Sequence, residues 1–167
     1  MHSVIFSNIE NSAFGSAIAG SEWMFPAIET IHVFAIVTVI GTIAIMDLRL
    51  LGLASRGRTV QAVERDTVPL TWIGFALAVI TGILLFVSKA TSYMANPYFL
   101  WKMGLMLLAG VNMALFHRVL SKDIAQWDAP GATAPAAAKI AGLLSLALWI
   151  VIPFCGRAIG FTLGVYY

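Results

Sequence analysis

Of the 167 residues, 60% are hydrophobic and only 11% charged, less than half the charge of a soluble domain, where about a quarter is usual; the mean hydropathy is +0.89. Too little polar surface remains to coat a water-soluble enzyme or to keep a tail disordered, and a net charge of +2 gives no basic patch for nucleic acid. The single cysteine, Cys155, excludes an internal disulfide, a Cys-rich zinc site and an iron–sulfur cluster. These exclusions leave an integral membrane protein.

Residues 1–23 contain no Lys or Arg, so the segment lacks the basic start of a signal peptide. Val4, Ile5, Ile9, Phe14 and Ile18 alternate with Ser, Asn and Gly. This pattern predicts a short amphipathic helix lying on the outer membrane interface, with Trp23 as anchor. Four apolar runs follow, at 24–46, 68–88, 98–116 and 140–161, each near the roughly 20 residues that cross a bilayer core. The expected fold is all-α: an integral membrane four-helix bundle forming one domain, 24–167, with spans at about 24–48, 68–89, 97–119 and 139–163, preceded by the interfacial segment.

Arg49, Arg56, Arg58 and Arg65 follow the first span, and Arg118, Lys122 and Lys139 follow the third, seven of the ten basic residues. The positive-inside rule then puts both loops in the cytoplasm and both termini outside, which in a bacterial inner membrane means the periplasm. The stretch 128–138, DAPGATAPAAA, reads as a Pro/Ala-rich linker without evident chemistry.

Ionisable groups within a span are functional candidates by default. At 100° per residue, Glu29, His32 and Asp47 share one face of the first span, and Lys102, Met106, Ala109, Met113 and His117 form a stripe about 80° wide on the third. A weak repeat relates them. His32 and Asp47 lie 6 and 21 residues after Pro26, Lys102 and His117 lie 5 and 20 after Pro97, and parallel spans with equal offsets have equal depth. His32 and His117 are thereby separated by roughly 22 Å along the bundle at 1.5 Å per residue, too far to ligate one metal. At the depth of His32 stand Lys102, Met103, Met106, Cys155 and Arg157.

An imidazole at this depth suits a b-type haem, with Glu29 fixing its tautomer and Lys102 and Arg157 pairing the propionates. Lys102 is alternatively the second axial ligand. Two other readings stay open: a buried His32 that only hydrogen-bonds Glu29 or a carbonyl, and a copper site using Met and Cys155. His117, beside Arg118, suits a solvated or headgroup-facing role. Gly156 and Gly160 form GxxxG, a helix-packing signal, and Trp72, Trp101, Trp127 and Trp149 suit interfacial positions.

The segments ETIHVFAIVTVIGTIAIMDLRLLG (29–52), LTWIGFALAVITGILLF (70–86), NPYFLWKMGLMLLAGVNMALFHR (96–118) and SLALWIVIPFCGRAIGF (145–161) resemble an uncharacterised family of small bacterial inner-membrane proteins. More distantly, the His early in span one and the aromatic-x-x-Lys start of span three, followed by His and Arg, are similar to the small membrane-bound protoporphyrinogen IX oxidases of bacteria. That resemblance implies a haem b protein whose critical groups are His32 and Lys102, both metal ligands. The chain departs from the pattern at Glu29, at the DLR of 47–49 and at the GR of 156–157. A resemblance to D-type copper-resistance membrane domains is equally distant.

The expected function is a membrane b-type haem protein for electron transfer or haem-linked redox chemistry. It would bind haem b through His32, Lys102, Arg157, Glu29, Met106 and His117, with quinol or a redox protein as partner and no nucleic acid. If it is an enzyme, it is a haem-dependent membrane oxidoreductase. The alternative is a haem-free copper-handling or accessory structural membrane subunit; under either reading the lipid bilayer and a homo- or hetero-oligomer are expected partners.

Overall fold

The structure, a computed structural model, describes residues 2–120, 124–129 and 133–166. Lys122 and the middle of the expected linker, 130–132, lie outside them. The described residues build an all-helical fold: α1 (His2–Glu10), α2 (Ala13–Ala19), α3 (Met24–Leu50), α4 (Val60–Ser88), α5 (Ala90–Ala95), α6 (Pro97–Leu115), α7 (Ile124–Trp127) and α8 (Ala136–Thr162). A π-helical turn, Phe116–Leu120, continues α6. Among the described residues four helices are long and apolar enough to cross a membrane: α3, α4, α6 with its extension to Val119, and α8.

The strongest packing joins α3 to α4, then α6 to α8, and α3 to α8 links the two pairs. Among the described residues α4 and α6 make little backbone contact along their lengths. Large apolar side chains face outward, as lipid rather than water permits: Phe34 is 69% exposed, Leu107 72% and Phe154 72%.

Two expectations are corrected. The N-terminal segment is two helices, not one, because Ser12 is extended and caps α2, its hydroxyl accepting from the Gly15 amide at 3.1 Å. These helices also pack down. Ile18 is fully buried, and a Cβ on Gly15 would stand 2.6 Å from the Glu10 carbonyl oxygen and 2.9 Å from that of Val87. Glycine is what lets α2 approach α4 so closely. Trp23 is exposed beside them.

The second long helix begins at Val60, not near 68. Thr59 caps it, accepting from the Ala62 amide at 3.1 Å. Asp128 caps it as well, taking hydrogen bonds from the amides of Val60 and Gln61. Asp128 belongs to the stretch expected to lack chemistry; it supplies the anion that a helix N-terminus favours. α3 ends in a Schellman turn with Gly52 at φ +71° and the Leu53 amide donating to the Leu48 carbonyl at 2.9 Å. Arg49 there is only 2% exposed and donates through Nε to the Arg58 carbonyl at 2.6 Å.

Candidate functional site

His32 lies two turns into α3, half-buried against α4. Its Nδ1 is 2.8 Å from Thr81 Oγ1, and that hydroxyl donates onward to the Leu77 carbonyl at 2.7 Å. A hydroxyl has one proton to give, so Thr81 accepts from His32 and the ring N–H is at Nδ1. The Ala78 carbonyl also faces the ring. Hydrogen-bond logic therefore assigns the tautomer whose lone pair is on Nε2. Gly82 makes the room: a Cβ there would stand 3.2 Å from His32 Cε1. Sequence reasoning missed both residues, since a threonine in a span usually returns its hydroxyl to its own helix. Thr81 does that too.

Lys102, one turn into α6, is close enough to act electrostatically on His32. It reaches the interior across α8, where a Cβ on Gly156 would lie 3.7 Å from its Nζ, and the buried Cys155 is close enough to act on it electrostatically. The expected juxtaposition of His32 and Lys102 is thus present, with Cys155 and Gly156 beside it.

The other expected site residues are placed elsewhere. Arg157 is exposed and stacks over Phe161, its Cζ 4.7 Å from the ring centroid. Because Gly156 faces Lys102, the next residue, 100° around the helix, points away. Glu29 is exposed and is not the partner of the His32 ring nitrogen; Thr81 is. Its charge instead bears on Tyr93 of α5, whose phenol is pushed up to about 12, first by burial and then by that carboxylate. Met106 packs against the cluster of Ala109, Leu148 and Ile152, as does Trp149, expected at an interface but sited halfway along α8.

His117 sits in the π-helical turn. Its Nδ1 is 2.9 Å from the Met113 carbonyl and its Nε2 3.2 Å from Glu64. Thr81 and Glu64, which receive the two histidines, are 17 residues apart on α4, or roughly 25 Å at 1.5 Å per residue. The two imidazoles occupy opposite ends of the bundle.

Above His32, Phe86 stacks on Phe99 with centroids 5.7 Å apart, Tyr93 is 5.4 Å from Phe99, and Phe6 meets Phe86 edge-on. This aromatic group closes the end that carries both termini. Asn96, 1% exposed, fixes the start of α6 by accepting from the Tyr98 amide and ties it to α8 by donating to Thr162.

In comparisons with known protein families, curated proteins and solved structures, nothing matches the chain.

Proposed function

We propose that the protein is a b-type haem-binding protein of the bacterial inner membrane, with both termini in the periplasm, that passes electrons from quinol or a partner protein. The observation that carries this reading is His32: its N–H is tied to Thr81 and its Nε2 lone pair is left as a neutral donor beside Lys102. Fixing one ring nitrogen by a hydrogen bond is how proteins orient a metal-binding imidazole. The residues present fit the group. A Cβ on Gly82 would crowd the His32 ring, Lys102 lies against Gly156, and the helices around them are apolar enough to cross a membrane.

In this reading His32 holds the iron, and the bound haem supplies one-electron redox chemistry. Lys102 takes one of two roles. As a second ligand its amine must be neutral, whereas as a propionate partner it keeps its charge. With Arg157 turned outward, Lys102 is the cation that bears on His32. The resemblance to protoporphyrinogen IX oxidases pairs the same two residues. Among the described residues no three His, Cys, Asp or Glu side chains gather to hold a bare metal ion. A haem iron, already held by its porphyrin, asks the protein for only one or two ligands.

The test is the optical spectrum of protein purified from haem-replete membranes. A Soret band and, after reduction, an α-band are expected. Colourless protein, or copper without porphyrin, contradicts the proposal.

A further inference from the structure

Asp47 lies in the last turn of α3 and is only 5% exposed. α3 and α8 touch here: a Cβ on Gly142 would stand 3.4 Å from the Asp47 carbonyl oxygen. Ser145, almost one turn further along α8, turns its hydroxyl to the Asp47 carboxyl. Oδ2 is buried and makes no hydrogen bond.

Several charged groups at this end of the bundle are engaged elsewhere. Arg49, on the same helix, donates to the Arg58 carbonyl. Arg58 pairs with Asp66, and His117 with Glu64. Lys139, on α8, is half-buried. Among the described residues no basic side chain forms an ion pair with Asp47. Two other carboxylates show what an ionised group receives in this fold: Asp128 accepts from two backbone amides and Glu10 from the Thr91 amide at 3.0 Å. Asp47 has one hydroxyl and an orphaned oxygen.

A buried carboxylate without a counter-ion carries a large desolvation cost that the neutral acid avoids. A bound alkali cation is the other way to remove the charge, but hard cations gather about six or more oxygens, and among the described residues no three His, Cys, Asp or Glu side chains gather around a metal-sized point.

We propose that Asp47 is a proton-binding site: its carboxyl carries a proton in the folded protein at neutral pH and exchanges it with water at the loop end of the bundle. Three residues separate Asp47 from the end of α3, about 5 Å of helix, so the exchange path is short. The site lies near the His117 end, far from His32, and does not depend on haem.

Infrared spectroscopy of the full chain in lipid nanodiscs tests it. The difference between wild type and Asp47→Asn should contain the carbonyl stretch of a protonated carboxylic acid, and that band should move down on transfer to D2O. Should Asp47→Asn fail to fold, Asp47→Glu serves instead, displacing the band rather than removing it. A difference holding only carboxylate bands, or carboxylate bands that depend on sodium, overturns the proposal. A carbonyl band that does not shift in D2O overturns the exchange.

Discussion

Thr81 and Gly82 decide how His32 presents itself, and both act through a few atoms. Replacing Thr81 by Val keeps the volume and removes the acceptor at 2.8 Å from Nδ1. Loss of such an orienting partner typically costs tenfold to a hundredfold in metal-site affinity. Haem titration of the purified apoprotein should therefore show about a tenfold or larger loss for Thr81→Val and near wild-type affinity for Thr81→Ser; equal affinity in both variants would detach Thr81 from the site. Gly82→Ala places a Cβ 3.2 Å from His32 Cε1, so the ring must move by a few tenths of an ångström, with weaker haem binding in a protein that still folds. Tyr93 carries a pH prediction. Its phenol ionises near 10 in the unfolded chain and near 12 in the folded one, so the neutral form is favoured by folding. That contribution is present in full below pH 10 and is lost as pH rises from 10 through 12. Tyr93→Phe should flatten the alkaline loss of thermal stability over that window. At this scale the sequence disclosed His32 and Lys102 because ionisable groups in an apolar run stand out. It could not disclose Thr81, an unremarkable hydroxyl 49 residues away, nor the outward turn of Arg157, which depends on which face of α8 meets α6.

The elements were easier to read where lipid imposes the rule. A span must be apolar for its whole crossing, and all four runs became helices. The boundary of α4 escaped because its first two turns, with Gln61, Glu64, Arg65 and Asp66, lie outside the apolar run and are held by a cap from Asp128, 68 residues distant. Asp128→Ala removes acceptors from two amides at that N-terminus and should cost about 1–2 kcal/mol, read as a lower unfolding temperature in detergent, while Asp128→Asn should retain part of it. The split between α1 and α2 turns on Ser12, an N-cap that the amphipathic pattern alone does not reveal. Gly15→Val should unseat α2, because its Cβ would meet three backbone oxygens at 2.6–2.9 Å. Faster proteolysis near residues 11–22, with the spans intact, is the expected sign; unchanged protection would show that the N-terminal pair is not held by this contact.

For the molecule as a whole, the paired helices α3–α4 and α6–α8 put the two chain ends together with α5 and the two Arg-bearing connections at the opposite end. A reporter active only in the periplasm should work after Tyr167 and fail after Arg58; the reverse would invert the topology. The same architecture separates His32 from His117 by most of the bundle's length, because their partners Thr81 and Glu64 lie far apart on one helix. The sequence reached this separation by counting from Pro26 and Pro97, and α4 now measures it independently. One comparison tests the central claim directly: the Soret absorbance per protein of His32→Ala and His117→Ala, each purified alongside wild type and shown by circular dichroism to be folded. The account predicts that His32→Ala loses the band while His117→Ala keeps it. Retention of the band in His32→Ala, or its equal loss in both variants, contradicts the placement of haem at the end of the bundle where His32 and Lys102 meet.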